Sequence, residues 1–193
     1  MAAATQTYAN TNKWDTRTLV TMALMCAISV LLSFIETPPL FAGGFLKLDV
    51  SLTPAMVVGF AYGPGAGVLV GVVAAVVHGM FTGNWVGAVM NIIVAAAFIY
   101  PACAIYSRNH TFKGAVIGLV VATVVMVAAA IVANLVIDPL FYGYPFDAVV
   151  ALIVPALLPF NILKGAVNGV LTGVVYKSIS NLITPKKAQV KGR

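Results

Sequence analysis

Early in its last apolar stretch the chain reads Pro159-Phe160-Asn161-Ile162-Leu163-Lys164-Gly165, an amide and an ammonium three residues apart among hydrophobic neighbours. Residues at that spacing share one face of a helix. The amide offers both a donor and an acceptor and the lysine a fixed positive charge, a pairing that suits a planar ligand with imide-like edges or a carboxylate. An ionisable group within a membrane helix is costly, so it reads first as a functional site. The competing reading is a lysine that snorkels to the headgroups. Asn134, Asn91, Asn84 and His78 are further polar residues in or beside apolar segments. For Asn91 and Asn134 the alternative is a hydrogen bond to a neighbouring helix, and for His78 it is simple packing at the interface.

The elements that must position these groups are membrane helices. Of 193 residues, 61% are hydrophobic and only 8% charged, and the mean hydropathy is +1.02. A soluble domain could not cover its surface with so few charges. The chain is therefore expected to be an all-α integral membrane protein with six transmembrane helices, at roughly 17 to 25 apolar residues per span. The first is expected over about 17–35, stopped by Pro38-Pro39. The second and third, about 52–62 and 65–81, are divided by the turn signal Gly63-Pro64-Gly65. The fourth covers about 85–106. The fifth runs over 114–137 and is expected to stop at Asp138-Pro139, and the sixth begins between Ala148 and Pro159 and ends near Asn181. Residues 1–16 and 182–193 form polar tails around a membrane domain at 17–181, and the first apolar run reads as a retained span, because no small-residue cleavage site follows it.

Charge sets the expected orientation, since Lys and Arg accumulate in cytoplasmic loops. Lys13, Arg17, Arg108, Lys113, Lys177, Lys186, Lys187, Lys191 and Arg193 fall on one side, nine of the eleven cations, whereas Glu36, Asp49, Asp138 and Asp147 fall on the other. Both termini are thus expected in the cytoplasm, and the net charge of +6 belongs to a basic rim facing anionic lipid rather than to nucleic-acid binding. In this orientation the polar residues gather in the outer half, above an inner half of Ala, Gly, Val and Thr. Phe45, Trp85, Phe141, Tyr142, Tyr144 and Phe160 lie near the outer mouth, as walls of a site or as an interfacial belt.

Several functions are disfavoured by what is missing. A proton-coupled carrier or channel would want a relay of buried acids or a lined pore, and an autonomous carrier paired broken helices. An intramembrane enzyme would want a nucleophile–base or metal-ligand cluster around His78, Cys26 or Cys103. No phosphate-binding loop is present, and no cofactor or metal is expected. The first helix carries Ala23-Leu24-Met25-Cys26-Ala27 near its cytoplasmic end, a small-xxx-small pattern that lets another helix approach closely.

Over residues 17–181 the sequence resembles the substrate-binding S components of energy-coupling factor (ECF) vitamin importers, above all their riboflavin-specific members. The residues that carry the resemblance are Ala23 and Ala27, Phe45-Leu46-Lys47-Leu48-Asp49 with Pro54-Ala55, Gly59-Phe60-Ala61-Tyr62-Gly63-Pro64 with Gly67, and Pro159 to Gly165. The resemblance implies a six-helix subunit that captures a vitamin from outside and depends on a transmembrane coupling protein (EcfT) and two separate ATPases for transport. It implies that Asn134, Asn161 and Lys164 hydrogen-bond a flavin, with Leu46, Lys47 and Asp49 in a lid-like loop and Asn91 beside them. Ala23 and Ala27 would then face the coupling protein. Pantothenate, folate or thiamine remains the alternative ligand.

Overall fold

Asp15 starts the first helix: its carboxylate accepts the N–H of Thr18 at 2.8 Å, satisfying one of the donors a helix N-terminus leaves open. The computed structural model describes residues 14–40 and 46–183, all helix and connecting loop, with no strand among them. In chain order the helices are α1 (Thr16–Ser33), α2 (Leu52–Tyr62), α3 (Pro64–Thr82), α4 (Trp85–Arg108), α5 (Phe112–Tyr142), α6 (Phe146–Leu152) and α7 (Leu158–Ile183), with a π-helical stretch Ile153–Leu157 joining the last two. Lys13, Phe45, Lys186, Lys187, Lys191 and Arg193 lie outside the described residues.

Five segments are long and apolar enough to cross a membrane: α1, α3, α4, α5 and the run Phe146–Tyr176. The sixth, α2, has only 11 residues, about 16 Å at 1.5 Å each. It is enclosed instead of facing lipid. It touches α1, α3, α4 and α7, and every residue from Leu52 to Phe60 is buried. Small residues allow this enclosure, since helices in lipid associate through close packing. A Cβ on Gly67 of α3 would sit 2.7 Å from the Cα of Gly59 on α2 and 2.9 Å from the carbonyl oxygen of Ala55.

Two expected boundaries are corrected. Asp138-Pro139 does not stop the fifth helix, which continues to Tyr142 and ends at Gly143 with φ 67°. Proline removes a single backbone donor, and this close to the C-terminus the helix survives the loss; the left-handed glycine supplies the stop. Asn134 consequently lies two turns below the helix end. The sixth span likewise begins earlier, at Phe146, and Pro159 sits inside it rather than opening it. The π-helical stretch Ile153–Leu157 carries a second proline, Pro155, and such wider turns accommodate prolines within long helices.

Between α1 and α2 the loop doubles back on itself. Thr37 N–H donates to the Leu48 carbonyl at 2.9 Å and Leu40 N–H to that of Leu46 at 2.8 Å, which returns residues 46–49 to the end of α1.

Candidate ligand-binding site

Where α1, α3 and α5 end and α2 and α4 begin, the helices splay around a cavity of about 300 Å³, within the range of small-ligand sites. Leu46, Lys47, Asp49, Asn91, Asn134, Asn161 and Lys164 all line it, with His78 and Asn84. Residues contributed by the first loop, α4, α5 and α7 therefore share one space.

The two central asparagines are held alike. Asn134 Nδ2 donates to the carbonyl of Ala130 at 2.7 Å, and Asn161 Nδ2 to that of Leu157 at 2.8 Å. Each thereby fixes its rotamer against its own helix one turn back. Each keeps a carbonyl oxygen and a second N–H with no other protein partner among the described residues. Both residues are 3% exposed, so these acceptors and donors open only onto the cavity.

Lys164 does not snorkel. It is buried, and its Nζ lies 2.9 Å from Oδ2 of Asp49. Asp49, read from sequence as a loop charge, is equally buried; its other oxygen accepts the Ser51 N–H at 2.9 Å and the Ser51 hydroxyl. Burial pushes the Asp49 carboxyl up, but the Lys164 ammonium and the Ser51 hydrogen bonds outweigh it and hold the pKa below the ordinary carboxylate value. A ligand thus meets a compensated ion pair rather than a bare ammonium. That disfavours the carboxylate ligand left open above and retains the imide-like edge. Lys47, by contrast, is half exposed and pairs with Glu36 at 2.8 Å.

Asn168 is the residue that sequence reasoning missed. It is fully buried, and its Nδ2 donates to the carbonyls of Asp49 at 3.0 Å and Lys164 at 3.1 Å, while its Oδ1 accepts the Thr53 hydroxyl at 3.1 Å. It ties the loop, α2 and α7 together beneath the ion pair. The signal was present: Asn161, Lys164, Asn168 and Thr172 recur every three or four residues along one face of α7. The half of the bundle below the cavity is therefore not purely small and apolar.

Of the aromatic residues named from sequence, Tyr142 and Phe160 line the cavity. Trp85, Phe141 and Tyr144 are exposed and do not. Asn84 also caps α4, accepting from Gly87 N–H at 2.8 Å, and His78 bonds the Ser33 hydroxyl at 2.9 Å. On α1, Ala23 and Ala27 lie on the exposed face, some turns away from the cavity.

A bundle of apolar helices around a polar-edged cavity at one end is the build of a membrane protein that captures a small ligand. The chain belongs to the family of ECF transporter substrate-specific components, matching it over residues 17–176; it is a transport subunit and not an enzyme. Among its relatives, the riboflavin transporter RibU of Staphylococcus aureus (strain TCH60) is 31% identical over 179 residues, covering 89% of this chain and 95% of that one. The riboflavin transporter FmnP of Bacillus subtilis (strain 168) is 26% identical over 181 residues, 88% and 95% of the two chains. The solved S component of a bacterial ECF transporter superposes with a TM-score of 0.77 at 31% identity, over 88% of this chain and 98% of that one. ThiT from Listeria monocytogenes gives 0.63 at 16% identity, over 87% and 97%, a likeness of fold alone.

Proposed function

We propose that this chain captures riboflavin at the outer face of a prokaryotic cell membrane and delivers it inward when docked on an ATPase-driven coupling module. The observation that carries the reading is the convergence of Asn134, Asn161 and Lys164 on one cavity of ligand size in a chain whose near full-length relatives are riboflavin transporters. Isoalloxazine is flat and largely apolar with a polar pyrimidine edge. It needs aliphatic and aromatic walls and a few fixed donors and acceptors. Val94, Ala130, Tyr142 and Phe160 supply walls here, and the two unpaired amide faces supply donors and acceptors. In this reading Leu46, Lys47 and Asp49 form the flank that the first loop lays over the ligand, Asn91 completes the polar edge, and no resident cofactor takes part.

The partners would be a transmembrane coupling protein (EcfT) and two ATPase subunits, reached through Ala23 and Ala27 on the exposed face of α1. Arg17, Arg108 and Lys113 lie at the end opposite the cavity, and the preference of cations for the cytoplasm supports the reading of an outward mouth and cytoplasmic termini. Protein purified in detergent is expected to carry a yellow, flavin-fluorescent ligand, identifiable by mass spectrometry, or to bind riboflavin once stripped. A colourless preparation that ignores riboflavin and binds pantothenate or thiamine overturns the assignment of the ligand.

A further inference from the structure

The charged side chains around the cavity leave one residue over. Lys164 is matched by Asp49 at 2.9 Å and Lys47 by Glu36 at 2.8 Å; His78, the remaining basic side chain of the lining, has its Nε2 3.6 Å from the same Glu36. Asp138 is the third carboxylate of the lining. It is only 4% exposed and makes no hydrogen bond or ion pair among the described residues. It stands one turn above Asn134 and one turn below Tyr142 on α5, and all three face the cavity.

No buried side-chain oxygen lacks a partner among the described residues, so the Asp138 carboxylate is not sealed off but opens onto the cavity, where a ligand that displaces water meets an acceptor without a counter-charge. Ionised, it only accepts hydrogen bonds, and those from hydroxyls are short and strong. A phosphate ester carries about −1.5 to −2 charges at neutral pH. It would meet Asp138 in the cavity wall, with both lysines already committed to other carboxylates. We propose that Asp138 is a specificity-determining residue of this cavity, accepting hydrogen bonds from ligand hydroxyls and disfavouring ligands that carry a phosphate ester. The inference rests on the flavin reading of the site: riboflavin offers the free hydroxyls of its ribityl chain, and its 5′-phosphate replaces the terminal one with a dianion.

The test is a fluorescence-quenching titration of ligand-stripped protein in detergent with riboflavin and with riboflavin 5′-phosphate, for the wild type and for Asp138→Asn and Asp138→Glu. The wild type is expected to prefer riboflavin by about tenfold or more, as repulsion between a buried carboxylate and a nearby dianion implies. Asp138→Asn should shrink that ratio at least about fivefold, mainly by strengthening the phosphate ester, since the amide keeps the size and loses the charge. Asp138→Glu, which keeps the charge, should hold the ratio within about threefold of wild type on the same electrostatic ground. Equal wild-type affinities for the two ligands overturn the proposal even if neither variant folds, as does an unchanged ratio in Asp138→Asn. A wild type that binds neither flavin overturns the flavin reading itself, and Asp138's assignment with it, a result distinct from riboflavin binding with no discrimination.

Discussion

Asp49 and Lys164, 115 residues apart in the chain, meet at 2.9 Å in the wall of the cavity, and Asn168 bonds the backbone carbonyls of both from beneath. The pair joins the loop after α1 to the helix that carries Asn161. It also decides what a ligand encounters there, a dipolar edge in place of a lone cation.

Breaking that pair on one side should cost more than removing it altogether. Asp49→Asn or Lys164→Met alone leaves a buried charge uncompensated, with an expected loss of about 3 to 5 kcal/mol, whereas the double variant should recover most of it. Thermal unfolding of the three proteins in one detergent measures this. A double variant as unstable as the sum of the singles would mean that the two side chains act independently.

The pair also predicts a pH window. The carboxyl of Asp49 titrates lower in the folded protein than in the unfolded chain, so its stabilisation is fully present above the ordinary Asp value near ~4 and is lost as pH falls through the folded value. The stability gap between wild type and Asp49→Asn should therefore be level from about pH 8 to pH 5 and close only below about pH 4. A gap that closes between pH 8 and pH 6 would assign the dependence to another group.

Asn168 lies under the cavity and outside its lining, so its effect on ligand capture should be indirect. Asn168→Ala leaves the Asp49 carbonyl without its partner and the Thr53 hydroxyl with only a long 3.5 Å bond to the backbone carbonyl of residue 168, with an expected loss of about 1 to 3 kcal/mol in stability. Riboflavin affinity should fall through a faster off-rate as Lys164 loses its support, measurable by stopped-flow release. Unfolding at the wild-type temperature together with an unaltered off-rate would remove Asn168 from the site's scaffold.

The exposed face of α1 gives a prediction of opposite sign. Ala23→Leu with Ala27→Leu adds bulk where Val20, Leu24 and Ile28 already face outward, so folding and riboflavin binding should stay within about twofold, surface changes being worth about 0.5 kcal/mol or less. Co-purification with a co-expressed family coupling protein and its ATPases should be lost, because close helix approach needs small side chains. The double variant Asp49→Asn with Lys164→Met, which leaves no uncompensated charge, should do the reverse, weakening capture and sparing assembly. Matching defects from the two sets would contradict the division between pocket and docking face.

Local chemistry made much of this legible. The apolar runs, their separation by Gly63-Pro64 and the spacing of Asn161 and Lys164 follow from the cost of burying polar groups and from helical periodicity, and both are written in consecutive residues. Where α5 ends was not legible, since Pro139 reads as a stop and only the left-handed Gly143 supplies one. Asn168 was overlooked although its spacing announced it, because a polar residue deeper on the same face has no evident partner until α2 is placed beside it.

By itself, then, the order of residues determined a bundle of membrane helices and the shared face of Asn161 and Lys164, for each of those features depends on neighbours a few positions away. Only the tertiary structure decided that Asp49 neutralises Lys164, that Glu36 takes Lys47, and that Asp138 is left facing the cavity with no counter-charge. Helical register states which residues share a face of one helix. Which face of another helix stands opposite is set by packing across more than a hundred residues, where small residues such as Gly67 permit close approach.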